Sequence, residues 1–72
     1  MWYSHAKWPL DTYSGEYGDG ISVDKHDTRE QAVGVCIGLT LEGFGGQRQS
    51  FPIITWVAEK ETRTPPSGAT HD

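Results

Sequence analysis

The sequence predicts an α+β fold: a small three-stranded sheet, antiparallel or mixed, with one α-helix packed across it in the order β-β-α-β. Three observations predict it. A stretch with a helix cap at one end and a glycine stop at the other runs from Asp27 to Gly43. An apolar run, FPIITWVAE, follows a glycine-rich turn. Two strand-like segments, WYSHAKWPL and ISVDKH, precede the helix and are separated by a loop rich in glycine.

The first strand rests on alternation. Across residues 2–10, Trp2, Ser4, Ala6 and Trp8 share one face, Tyr3, His5 and Lys7 the other, and Pro9 stops the pairing. DTYSGEYGDG then carries Gly15, Gly18 and Gly20, which suit a loop or an irregular hairpin connection. ISVDKH reads as a second strand, with Ile21 and Val23 facing the core and Ser22 and Asp24 facing water.

The helix is placed at about 28–42. Asp27 with Glu30 forms a capping box in its Asp form, and Thr28 with Gln31 would serve one residue later. Gly43 supplies the stop, with Phe44 packing back on Leu39 as in a Schellman end. At 100° per residue, Ala32, Val33, Val35, Cys36, Ile37, Leu39 and Leu41 cover more than half the circumference. The narrow remaining strip holds Gln31, Gly34, Gly38 and Glu42. So wide an apolar face implies a second cover besides the sheet, either the aromatic N-terminal segment or a second subunit.

GFGGQRQS is a loop, and FPIITWVAE is a strand apolar on both faces, with Pro52 tolerable near its start or on an edge. The expected core comprises Val33, Ile37, Leu41, Ile53, Trp56 and Val57. From Lys60 onward no apolar side chain is larger than Ala, and Pro65-Pro66 interrupts the chain. Residues 1–59 are therefore expected to form the single domain and 60–72 a disordered tail.

Composition bounds the function. At 72 residues the chain lies near the lower limit for one hydrophobic core, although three Trp, three Tyr and two Phe enlarge each contact. The formal charge is -4. Asp11, Glu16, Asp19, Asp24, Asp27 and Glu30 crowd the first thirty residues against Lys7, Lys25 and Arg29. Such a surface disfavours phosphate backbones and suits a basic protein partner, or simply solubility. The lone Cys36 excludes an intramolecular disulfide. With no signal peptide or apolar run of spanning length to read, the expected setting is the cytoplasm with no membrane partner.

No arrangement of residues amounts to an active site, and the expectation is a protein without enzymatic activity or cofactor. His5, His26 and His71 lack chelating spacing, so no metal site is expected. Cys36 on an apolar helix face reads as a small hydrophobe. The glycines at 43–46 follow a helix rather than precede one, which reverses the dipole that a phosphate loop requires. Gly34 and Gly38 either admit a partner backbone or sit on an unused solvent face, so Gln31, Gly34, Gly38 and Glu42 form one candidate contact strip. Trp2, Tyr3 and Trp8 lack the basic neighbours of a stacking platform for single strands and read as packing residues. The DTYSGEYGDG loop is the better candidate surface: Tyr13, Glu16, Tyr17 and Asp19 combine amphipathic rings with carboxylates and no adjacent cation. A plain solvated hairpin loop is its rival reading.

The run DTREQAVGVC…LEGFGG…FPIITWVAE, over residues 27–59, resembles a pattern in small uncharacterised proteins of bacteriophages and prophages. The resemblance implies a mobile-element origin and assigns no catalytic residue. In size, charge and lack of catalytic equipment the chain also looks like very small phage proteins that block a larger host protein, anti-CRISPR proteins among them. The expected function is thus a stoichiometric inhibitor that presents an acidic, Tyr-rich surface to a basic host protein. The alternatives are a nucleic-acid-associated regulator and a homodimeric accessory protein.

Overall fold

Alternating side chains and glycine-punctuated turns produce strands β1 (Trp2–Lys7) and β2 (Ile21–His26), and a capped apolar segment produces helix α1 (Arg29–Glu42). The β-branched run after it gives β3 (Ile54–Ala58), and a two-residue strand β4 (Thr70–His71) closes the order. The computed structural model describes residues 1–43, 46–47, 50–51, 53–66 and 70–71. Phe44 and Pro52, assigned roles above at the helix end and strand start, lie outside the described residues.

The sheet has the order β2-β1-β3-β4, and every described pairing is antiparallel. Ser4 faces Asp24 on one side and Val57 on the other, and Ala6 faces Ser22 and Thr55. Strands β2 and β3 therefore run parallel to each other on either side of β1, and α1 carries the chain across β1 between them. The expected three-stranded sheet with one helix across it is present. The sheet continues into β4, where Ile54 pairs with His71 and Thr55 with Thr70, inside the segment read as a tail.

The helix begins at the later of the two expected caps. The Gln31 amide donates to Thr28 Oγ1 at 3.2 Å, and Gln31 Oε1 accepts from the amides of Thr28 at 3.2 Å and Asp27 at 3.1 Å. At the other end Gly43 adopts φ 77° and ψ -171°, a backbone region open essentially to glycine alone. Its amide still reaches Leu39 O at 3.2 Å.

The helix does not present the face expected of it. Ala32 and Cys36 are buried against the sheet, Val33 is half-buried, and Ile37 and Leu41 are 51% and 65% exposed. The cause lies in the strand register. The sheet face under the helix carries Ser4, Ala6 and Thr55, all buried and all small. A helix settles closest on such a floor through its own small residues. Larger groups gather at one end of this layer, where Trp8, Ala6 and Ile53 form a buried cluster supported by Leu39 and Phe51. Of the expected core, Ile53 and Trp56 are buried and Val57 is half-buried; Ile37 and Leu41 belong to the surface.

Ile21 and Trp56 sit on the opposite face, so β2 is turned relative to its expected orientation: Ser22 lies on the helix side, where its Oγ accepts Trp8 Nε1–H at 3.0 Å.

Candidate functional site

The face away from the helix is closed by residues 61–63, and this determines how the acidic loop is held. His5 is 1% exposed and stacks on Trp56 with ring centroids 4.9 Å apart and planes 5° from parallel. Its Nδ1–H donates to Trp56 O at 3.3 Å, and its Nε2 accepts the Thr62 amide at 3.0 Å. Those two bonds demand the neutral imidazole, because a protonated ring would carry a second donor facing the Thr62 amide. Burial pushes the His5 pKa down, against an opposing pull from Trp56 O and Glu61. Thr62 Oγ1 accepts Trp56 Nε1–H at 2.7 Å, so one threonine ties both members of the ring stack.

The expected boundary at residue 59 is thus crossed by contacts. Sequence reading gave this segment no hold because it has no large apolar residue; the hold is polar, made by a backbone amide, a hydroxyl and a guanidinium. Arg63 supplies the last. Its Nε donates to Asp19 Oδ2 and its Nη2 to Asp19 Oδ1, both at 2.8 Å, in a bidentate pair. Nη2 also reaches Ile21 O at 3.4 Å, and Nη1 reaches Glu61 Oε2 at 3.1 Å. The guanidinium lies 4.8 Å from the centroid of the Tyr17 ring. Asp19 Oδ1 further accepts the Ile21 amide at 3.1 Å. The Arg63 hydrogen bonds hold the Asp19 carboxyl below the usual carboxylate range.

These contacts revise the candidate loop. Asp19 does have a counter-charge, forty-four residues away in sequence, and acts as the anchor of the loop rather than as part of its free field. Tyr13 and Tyr17 are 42% and 69% exposed, and Glu16 is exposed. The loop is internally braced: the Gly20 amide donates to Ser14 O at 2.8 Å, and Thr12 and Tyr13 amides donate to Pro9 O. Gly20 has φ 72°, and a Cβ there would stand 2.7 Å from Trp8 O, so this position admits only glycine. Tyr13, Glu16 and Tyr17 are each exposed on the loop, Tyr17 against the Arg63 guanidinium, and Asp19 supports the loop through Arg63.

The helix strip is divided in the same way. Gln31 is committed to the cap. Gly34 and Glu42 are exposed, and a Cβ at Gly34 or Gly38 would meet nothing within 4 Å. Gln31 and Gly34 also border a shallow depression with Lys25, His26, Asp27 and Val35. The exposed Ile37 and Leu41 share this outward side of the helix, which the sequence reading had placed in the core.

The other candidates have structural positions. Cys36 is buried, its thiol donates to Trp56 O at 3.6 Å, and burial raises its pKa, which disfavours the thiolate. His26 bonds Ser4 Oγ through Nε2 at 2.9 Å. Among the described residues, no group of three His, Cys, Asp or Glu is placed to hold a metal ion. Among them, too, no helix is long and apolar enough to cross a membrane. No protein-family model, curated protein or solved structure matches the chain.

Proposed function

We propose that this chain is a non-enzymatic binding protein that presents the exposed loop residues Tyr13, Glu16 and Tyr17 to a basic patch on a protein partner. The observation that supports this reading is the fastening of the loop. Arg63 and the Ile21 amide hold Asp19, and Gly20 locks the exit of the loop, so two exposed tyrosines stand on a braced support. Rigid aromatic groups lose little entropy on binding, and a preformed loop avoids the cost of ordering. The acidic balance of the chain, at -4, favours a cationic counterpart and disfavours nucleic acid. In its narrower form, which rests on the resemblance to phage proteins, the partner is a host protein and binding blocks it, as in an anti-CRISPR or other anti-defence inhibitor acting in the host cytoplasm.

The test compares capture of bacterial proteins by the wild type and by a folded Tyr13→Ala/Glu16→Ala/Tyr17→Ala variant. A discrete protein held stoichiometrically by the first and lost by the second is the expected result. Equal capture by both would remove the loop from the account, and retention of nucleic acid in place of protein would favour the regulatory alternative.

A second reading concerns self-association. Ile37 and Leu41 stand exposed beside Gly34 and Gly38, so knobs and gaps occupy one helix side, the arrangement a two-fold interface uses. A homodimer through Gly34, Gly38 and Glu42 would give a concentration-dependent mass in sedimentation equilibrium; a constant monomer mass would dismiss it.

A further inference from the structure

A groove of about 510 Å³ lies between the edge strand β2, the β1–β2 loop and the helix. Trp8 forms part of its lining, fixed by the bond from Nε1 to Ser22, with Phe51 set edge-on to it at 6.2 Å and 65°. Tyr13 lines it from the loop, and Val35 and Leu39 from the helix. Asp24 is exposed, and it is the one charged side chain among the described lining residues.

We propose that this groove receives the side chain of a single lysine or arginine from the protein partner, the alkyl stem lying on Val35 and Leu39 and the cationic head meeting Asp24 and Tyr13. Two features lead to this occupant. The groove is largely apolar along the helix yet carries one carboxylate and one half-exposed phenol ring, so a purely apolar guest would leave the charge unanswered and an anion would be repelled. The molecule also satisfies a guanidinium of its own with the same pair of groups: Arg63 lies on the Tyr17 ring and pairs with Asp19. Asp24 and Tyr13 repeat that combination of carboxylate and tyrosine, with no cation of the chain paired to Asp24 among the described residues. The inference rests on a basic protein partner, and it specifies where one of that partner's cations docks.

The experiment uses small probes, so it does not depend on finding the partner. Methyl and amide NMR spectra of the full chain are recorded during titration with n-hexylammonium, hexan-1-ol and hexanoate. Saturable shifts of the Val35 and Leu39 methyls are expected with n-hexylammonium, tighter than with hexan-1-ol by roughly three- to five-fold, as an exposed charge pair allows. Hexanoate should be the weakest. Asp24→Asn, a change at an exposed position that leaves the fold intact, should abolish the preference for the cation while hexan-1-ol still binds. Absence of saturable shifts, equal affinity for cation and alcohol, or an unchanged preference in Asp24→Asn would each overturn the proposal. The groove fails or stands on these spectra alone, whereas the loop reading fails or stands on capture by the triple alanine variant.

Discussion

The two faces of the sheet are covered by opposite means. Under the helix the strands offer Ser4, Ala6 and Thr55 to the small Ala32 and Cys36; the polar bonds on this side run within the sheet, Ser4 Oγ with His26 and Trp8 with Ser22, apart from the Cys36 thiol on Trp56 O. Among the described residues the buried Thr55 hydroxyl meets no hydrogen-bond partner of good geometry. On the far face the large groups His5 and Trp56 meet a short polar segment, and hydrogen bonds do the fastening. The difference explains why one cover is regular secondary structure and the other an irregular strap. A helix buries area along its whole length, while residues 61–63 hold on by specific donors and acceptors.

The strongest way to break this comparison is to remove Trp56. Trp56→Ala deletes the ring that His5 stacks on and the donor to Thr62, and should cost about 3–5 kcal/mol, enough to unfold most molecules of a domain this small. Chemical denaturation measures it. If Ile37→Ala costs as much, the helix has been turned the wrong way, because Ile37 is half-exposed and its removal should cost under about 1 kcal/mol.

Removing residues 60–72 should come next. It uncovers His5 and Trp56 and frees Asp19, so the thermal midpoint should fall by several degrees. An unchanged midpoint would make the strap an ornament on a complete domain.

His5→Ala follows, leaving the Thr62 amide without its acceptor and taking one of two donors from Trp56 O, at a cost of about 2 kcal/mol. The pH dependence sharpens this. The folded pKa of His5 lies below its ordinary value, so between the two values the unfolded chain binds more protons. Its contribution is therefore complete above about pH 6.5 and declines as pH falls below that, levelling out under the folded value. The Asp19 carboxyl, held low by Arg63, adds a separate loss only in the acid range of carboxylates. Urea midpoints between pH 5 and 8 should slope in the wild type and lose that slope in His5→Gln.

The smallest effect has the opposite sign. Gly34→Ala and Gly38→Ala meet open space and should each stabilise by about 1 kcal/mol through helix propensity. A gain in stability accompanied by loss of partner capture would assign the glycines to an interface; a gain with capture intact would leave them on an unused face.

What was legible in the sequence follows from these contacts. Strand and helix positions were readable because period, caps and glycine stops are local: ISVDKH became β2 residue for residue, and the Thr28–Gln31 cap was one of the two named. The rotation of the helix was not, since the apolar residues cover more than half its circumference and the choice between Cys36 and Ile37 depends on the size of Ser4, Ala6 and Thr55 across the gap. Asp19 was misread for a related reason, because its counter-charge Arg63 is remote in sequence and lies in a segment whose composition signals a tail. Tyr13, Glu16 and Tyr17 are exposed, and the Arg63 guanidinium beside Tyr17 has no local signal in the sequence.

Amide hydrogen exchange at Thr62 tests the central claim, that a polar strap closes the second face and stages the acidic loop. Its N–H donates to the buried Nε2 of His5, so at pH 7 it should exchange within about ten-fold of the β1–β3 ladder amides, with a protection factor, taken against the unstructured rate at each pH, that declines as pH falls below 6.5. Exchange at the rate of an unstructured peptide at pH 7 would contradict the account.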